Sequence, residues 1–430
     1  MKTPRTKLTR RAALSGAGIA LGACAVHANV GTSAAAEVQP VAPRPDDAIP
    51  INGRSGPGLE PLDNAMRVII DRHGLPGAAL AITRKGRLVF AKGYGWANLS
   101  RSEQIEPGTL FGLASLSKPF TAVAVLKLVE QGRLRLEDRV FDILKHIKPP
   151  AGARVDKRLN DITVRQCLNH SGGWDKAVRG DPISWEPQIC RALRLRPPLS
   201  PQQFVTFAMT MPLDFAPGTD MKYSNVGYII LGEVVTAVAK LPYQRFVLDH
   251  VLKPMDITRM QVHRLDGKYL VSEAVRYLAG SLIALPAMVL PMVDATGGWS
   301  GSVVDLVRFL TNIDGSRGQA VLSEKTRNLM LEAPPKPLKP RPDGTYYGLG
   351  WDSVGWQDKA FMLFKDGGYQ GMRTFMKRLP SGVCWALLYN ASMDFDAVDN
   401  QVASGAIHEV RRLVEGIDKY PDIDLFKEYP

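Results

Sequence analysis

Two strand hairpins stand about 280 residues apart in this chain, and that separation constrains the fold more than any other feature. The first, "GAALAITRKGRLVFAKGYGW" from Gly77 to Trp96, places two apolar runs around a turn at Arg84 to Gly86. The second, "RTFMKRLPSGVCWALLYN" from Arg373 to Asn390, turns at Pro380 to Gly382. Between them, from about Glu137 to Thr296, the chain is mostly helical and loop-like with little alternation. A hairpin alone is marginal in water, so the two ends are expected to share one sheet. The predicted class is therefore α+β, an antiparallel sheet flanked by helices with a mostly helical domain inserted. Residues 59–136 and 297–430 form the sheet domain in this reading, 137–296 form the helical domain, and a cleft between them is the expected site.

Helical spacing of apolar residues predicts helices at Leu62 to His73 and at roughly Ala397 to Leu413. A chain of 430 residues, 45% hydrophobic and 22% charged, can bury one large core or two joined ones. The apolar segment "LAGSLIALPAMVLPMV", Leu278 to Val293, holds two prolines and falls short of the ~20 residues a bilayer needs. It reads instead as a core or pocket-lining segment.

The first 28 residues read as an export signal. Lys2, Arg5, Lys7, Arg10 and Arg11 precede a mildly apolar run from Ala12 to Ala25. The adjacent arginines in "TRRAAL" resemble a twin-arginine signal, although the usual aromatic after the pair is missing. "LGAC" resembles a lipoprotein box that would make Cys24 a lipid anchor, whereas a cut after Ala28 would discard that cysteine. Residues 29–58, rich in Ala, Pro and Gly, read as a flexible linker. The expected location is the periplasm or cell envelope.

The formal net charge of +12 falls to about +7 once the five signal cations are removed. That excess is spread along the chain, which suits anionic envelope polymers and argues against a nucleic-acid partner. Beyond the signal the cysteines are Cys167, Cys190 and Cys384, with no zinc spacing and no even set for a disulfide framework. The seven histidines are scattered, so no metal site is expected.

The chemistry concentrates in "LASLSKPFTAVAVLKLVEQG", Leu113 to Gly132, where two serines and a lysine precede an apolar helix. Ser115 and Lys118 are three residues apart, so on a helix they share a face with Cβ atoms about 5–6 Å apart. Ser117 points elsewhere. The helix N-terminus favours negative charge on a serine oxygen. The apolar remainder would desolvate Lys118 and lower its pKa toward that of a proton carrier. Taken alone, an SxxK pattern is more often a helix cap beside a solvated lysine.

Two further stretches accompany it. "FAPGTDMKYSNVGYIILGEVV" presents Tyr223, Ser224 and Asn225 from a turn at Pro217 and Gly218, ahead of a helix from Val226 to Val235. A phenol near two ammonium groups would have a lowered pKa and serve as base on Ser115, and Asn225 would hold both Lys118 and a substrate amide. In "FKDGGYQGMRTF", Lys365 supplies a fixed positive charge and Gly367, Gly368 and Gly371 let a substrate lie against strand backbone. The amides of Ser115 and Gly368 are candidates for an oxyanion hole.

Ser115-Leu116-Ser117-Lys118, Tyr223-Ser224-Asn225 and Lys365-Asp366-Gly367, in this order, resemble the three motifs of the serine β-lactamase and penicillin-binding protein superfamily. The tyrosine-led second motif is similar to the class C branch, which includes D,D-peptidases, D-aminopeptidases and family VIII carboxylesterases. "TVRQCLNHSGGW", "GGWSGSVVDLVRFL" and "YGLGW" are similar in style, and the resemblance covers about residues 60 to 415. It implies catalysis by Ser115, Lys118 and Tyr223, substrate binding by Asn225, Lys365 and Gly367, and no cofactor. The implied substrate is a small ester, amide or peptide, with cell-wall peptides among the candidates.

Two departures bear on substrate. Penicillin-recognising members usually carry Thr or Ser after the third-motif lysine, where this chain has Asp366, and a proline where it has Gln370. The carboxylate would repel an anionic substrate unless it points away. An exported serine hydrolase acting through acyl-Ser115 is the leading expectation, with a β-lactamase or D-Ala-D-Ala carboxypeptidase as the variant favoured by retention of Lys365. The alternative of another kind is a non-catalytic sensor holding cell-wall peptides in the same cleft.

Overall fold

The computed structural model describes residues 49–279, 281–318, 320–392 and 399–429. The expected export signal, with Cys24, and residues 29–48 of the expected linker lie outside these. The rest of that linker is not a tether. Ile51–Ser55 forms an edge strand, β1, pairing with Phe90 to Tyr94. Flanking Pro50 and the interrupting Gly53 hide this five-residue strand from a periodicity reading.

After β1 the chain forms α1 (Pro61–Arg72), then β2 (Gly77–Arg84) and β3 (Arg87–Asn98). Lys85 and Gly86 both have positive φ, which matches a two-residue turn to the twist of the hairpin. Helices α2 (Ser117–Glu130), α3 (Asn225–Ala239) and α4 (Val303–Ile313) follow, with shorter helices between α2 and α3. Four strands, β4 (Ser353–Gln357), β5 (Ala360–Tyr369), β6 (Met372–Arg378) and β7 (Val383–Tyr389), precede the final long helix α5 (Asp399–Glu415).

The main sheet runs β1-β3-β2-β7-β6-β5-β4, antiparallel throughout, with Glu103–Gln104 adding a short eighth strand beside β3. The expectation of a sheet built from both ends of the chain is met at the β2–β7 ladder, where Arg84 faces Val383 and Ala78 faces Tyr389. The period-two alternation of β2 sends Ala78, Leu80 and Ile82 to one face and Ala79 and Ala81 to the other. On the first face they meet Met66, Ile69 and Ile70 of α1 and Val410 and Val414 of α5. On the second, the core includes Leu306, Phe309 and Leu310 of α4 and continues through α2 into α3. The sheet is thus covered by helices on both sides.

Helix α2 is apolar around its whole circumference, and every residue from Ser117 to Leu126 is buried. Phe120 packs edge-on against Phe309, with ring centroids 4.7 Å apart. This central burial fixes the first turn, where Ser115 and Lys118 sit. The Leu278–Val293 segment forms two short strands and a 3₁₀ turn, and its Met288, Leu290 and Val293 line the main cavity. Among the described residues no single helix is long and apolar enough to cross a membrane.

Candidate active site

A cavity of about 560 Å³ opens where the α2 N-terminus, the turn before α3 and strand β5 converge. Ser115 lies on a 3₁₀ turn, Ala114–Leu116, that leads directly into α2. Ala114 has φ of 45°, an uncommon value for a residue with a Cβ, immediately before the candidate nucleophile. Ser117 points away into the core, where its Oγ accepts from the Trp299 amide at 3.2 Å.

Lys118 is fully buried, and its Nζ donates to Ser115 Oγ at 3.0 Å and to the Thr296 carbonyl at 2.9 Å. Burial first, then the Lys365 ammonium, hold it well below the ordinary lysine pKa, while Asp352 and Asp181 pull weakly the other way. The expected desolvation of this lysine is present in the geometry.

Tyr223 OH lies 2.5 Å from Ser115 Oγ, so the phenol expected near the serine is there. Its expected acidity is not. Burial, followed by the Asp352 carboxylate, pushes it well above its ordinary value, with Asp181 and Asp366 adding to the effect. Ammonium groups do flank the ring, Lys118 at 4.9 Å and Lys365 at 5.2 Å from its centroid. Burial together with three carboxylates, from two loops and from β5, keeps the proton on the phenol despite them.

Asn225 does not hold Lys118. Its Nδ2 donates to Asp181 Oδ2 at 2.5 Å, and its Oδ1 accepts from Thr296 Oγ1 at 2.7 Å. The link to Lys118 runs through Thr296, whose backbone carbonyl takes the Lys118 proton donor. Asn225 still lines the cavity, as do Asp181 and Thr296.

Lys365 is only 1% exposed, and its charge is not free. Nζ donates to Asp352 Oδ1 at 2.6 Å, an ion pair that the sequence reading missed. Asp352 follows the "YGLGW" stretch and precedes β4. The signal available was that a lysine buried in an apolar strand needs an anion nearby. Burial alone would raise the Asp352 carboxyl, but Lys365, by charge and hydrogen bond, brings it below the usual carboxylate range.

Asp366 stays at the cavity wall with 41% of its side chain exposed, 3.8 Å from Arg373. Burial of its surroundings and the neighbouring Asp352 raise its carboxyl above the ordinary value. Gln370 lies outside the cavity lining, at the exposed β5–β6 turn, where its backbone carbonyl accepts from Arg276.

Strand β5 reaches the serine through its glycines. A Cβ on Gly367 would stand 2.5 Å from Thr374 Oγ1, 2.8 Å from Ser115 N and 2.9 Å from the Leu113 carbonyl, so only glycine fits. Phe364 O accepts from Asp352 N, and Asp366 N donates to Asp352 Oδ2, both on the edge of β5 away from β6. Strand alternation directs the Gly368 amide to that same edge, toward the cavity. The Ser115 and Gly368 amides therefore border one space.

His170 backs the tyrosines, its ring 4.6 Å from Tyr223, and its Nδ1 accepts from Ser224 N at 3.2 Å. Burial, then Lys365 and Lys118, lower its pKa to about 3, so it packs as a neutral ring. Among the described residues no cluster of three or more His, Cys, Asp or Glu side chains is arranged to hold a metal ion.

The sequence profile described as beta-lactamase matches residues 62–405. Protein flp from Staphylococcus aureus (strain MW2) is 30% identical over 197 residues, 46% of this chain and 36% of that protein. The chain thus spans well under half the length of that relative. By structure, the octameric penicillin-binding protein homologue from Pyrococcus abyssi superposes with a TM-score of 0.66 at 23% identity, over 86% of this chain and 81% of the other. The D-amino acid amidase from Ochrobactrum anthropi SV3 gives a TM-score of 0.65 at 20% identity, over 82% and 99%. These two likenesses show the shared fold, with the antiparallel sheet and covering helices described above. From the extent of the profile match, this chain belongs to the beta-lactamase family.

Proposed function

We propose that this protein is an exported serine hydrolase that cleaves an ester or amide bond through an acyl-Ser115 intermediate. One observation carries the reading: Ser115 Oγ lies 3.0 Å from a buried lysine and 2.5 Å from a half-buried phenol at the wall of a cavity. Those distances suit proton transfer.

Lys118, neutral because it is desolvated, takes the Ser115 proton as Oγ forms its bond to the substrate carbonyl carbon. The oxyanion sits between the Ser115 and Gly368 amides. Collapse breaks the bond to the leaving group, which receives its proton from Lys118 through the Tyr223 hydroxyl. Tyr223 is thus a relay rather than a phenolate base. Water then attacks the acyl carbon, its proton returns along the same path, and the free acid leaves.

Loss of the expected carboxylate anchor favours esters and amides without a carboxylate beside the scissile bond. Lys365 is held by Asp352 and is not among the residues lining the cavity, whose charges are Asp181, Asp352 and Asp366 beside Lys176, Arg341 and Arg373. The Ochrobactrum protein that shares this fold is a D-amino acid amidase, which is in keeping with an amide among the substrates.

Ser115→Ala is expected to reduce turnover of a p-nitrophenyl acyl ester to background while leaving the circular dichroism spectrum unchanged. Retained turnover would falsify the assignment. Comparing that ester with a chromogenic cephalosporin separates the variants, since faster cephalosporin turnover would make the protein a β-lactamase. Stoichiometric labelling without turnover of either would make it a binding protein.

A further inference from the structure

Two lysines are buried side by side in this site, and both cannot be cations without an anion between them. Their surroundings differ. Lys118 Nζ has only neutral acceptors, the Ser115 hydroxyl and the Thr296 carbonyl. Lys365 Nζ has a carboxylate at 2.6 Å.

That carboxylate is itself held. The Asp352 amide donates to the Phe364 carbonyl at 3.0 Å, one residue before Lys365, and the β4–β5 ladder pairs Ser353 with Phe364. Asp352 and Lys365 are therefore placed opposite each other by strand register. The Asp352 side chain is 15% exposed and lines the cavity, so it separates Lys365 from the solvent.

We propose that Asp352 is a positioning residue for the reaction. Its carboxylate keeps Lys365 as the ammonium of the pair, and Lys118 is thereby left as the lysine free to accept the Ser115 proton. This rests on the acyl-serine reading above and assigns a role to a residue outside the three motifs.

The charged and titratable groups around Lys118 come from six segments. Ser115 lies on its own turn, Tyr223 and Tyr228 on the α3 side at 4.9 and 5.6 Å from Nζ to ring centroid, and Lys365 on β5. Asp352 precedes β4, Lys176 and Asp181 come from the loop beside Asn225, and His170 backs the tyrosines. Asp352 is the one of these whose carboxylate pairs directly with the second lysine.

Removing that carboxylate has two consequences of definite sign. A second proton entering the site meets a Lys365 ammonium that has lost its paired carboxylate, with the more distant Asp366 as the remaining acidic neighbour of the pair, so protonation of Lys118 moves to lower pH. The one remaining proton is also shared between the lysines, which leaves Lys118 partly occupied and slows the plateau rate.

The test measures the second-order rate of Ser115 modification by a fluorophosphonate against pH, in the full chain, with peptide mapping of the label. Asp352→Asn should shift the acidic limb about one pH unit downward and lower the plateau about tenfold. Asp352→Asn with Lys365→Met, which removes both charges, should return the limb to within about 0.3 units of the wild type. A limb that stays at the wild-type position in Asp352→Asn while only the plateau falls means that Asp352 is merely structural, and overturns the proposal. So does a double variant displaced as far as the single one. Should Asp352→Asn fail to fold, Asp352→Ser removes the same charge with less bulk and carries the same expectations. Wild-type protein that is labelled elsewhere than Ser115 would instead overturn the acyl-serine reading.

Discussion

Replacing Gly367 by alanine tests the oxyanion geometry without touching a side chain that has its own chemistry. The new Cβ would lie 2.8 Å from Ser115 N and 2.9 Å from the Leu113 carbonyl. Ordinary contact for such atoms begins at about 3.5 Å, so β5 and the Ser115 turn must part by roughly 0.6 to 0.7 Å. Neither backbone atom can rotate away as a side-chain end can, and Thr374 Oγ1 at 2.5 Å blocks a tilt toward β6. The Gly368 amide moves with its neighbour. Losing one aligned oxyanion donor costs about 10²- to 10³-fold in rate, and a displacement near 1 Å at a reacting centre costs about 10²-fold. We therefore expect Gly367→Ala to acylate about 10²-fold more slowly, measured as the pre-steady-state release of p-nitrophenol. Overpacking should also cost about 1–3 kcal/mol, read from urea denaturation. A folded variant acylating within threefold of the wild type would refute the placement of the oxyanion between these amides.

Two predictions concern stability. Asp294 is buried, and burial raises its carboxyl to about 7. Since the folded-state pKa lies above the unfolded one, stability is highest when the group is protonated in both states and is lost as pH rises from about 4 to 7. Asp294→Asn should therefore raise the Tm at pH 8 and give a much smaller difference at pH 4; an equal gain at both would contradict this. Phe120 is fully buried against Phe309, so Phe120→Ala should cost about 3–5 kcal/mol in urea denaturation. A cost below about 1 kcal/mol would mean that α2 is not the packed axis of the core.

The parts of this molecule legible in its sequence are those determined over short distances. Alternation of apolar residues and the Lys85-Gly86 turn define the first hairpin, and three-residue spacing on a helix is enough to bring Ser115 and Lys118 together. The electrostatics were not legible, because they depend on which loops fold over the site. Tyr223 faces carboxylates from positions 181, 352 and 366, and no local pattern links those numbers. Asn225 was assigned to Lys118, but Asp181 and Thr296 engage both ends of its amide. Asp352 was hidden for the same reason: its partner is across a strand pair, thirteen residues along. The five-residue strand Ile51–Ser55 was lost because a proline and glycines surround it.

The ladder between Gly77–Arg84 and Val383–Tyr389 has a consequence for how the protein comes into being. A ribosome must translate some three hundred residues between laying down β2 and laying down β7, so the nascent β2–β3 hairpin keeps the largely apolar β2 open along its other edge for that whole interval. Because Lys365, Gly367 and Gly368 arrive with the same late segment, a prematurely terminated product would be inert as well as sticky. On the proposed mechanism, the site is completed only near the end of synthesis, all at once.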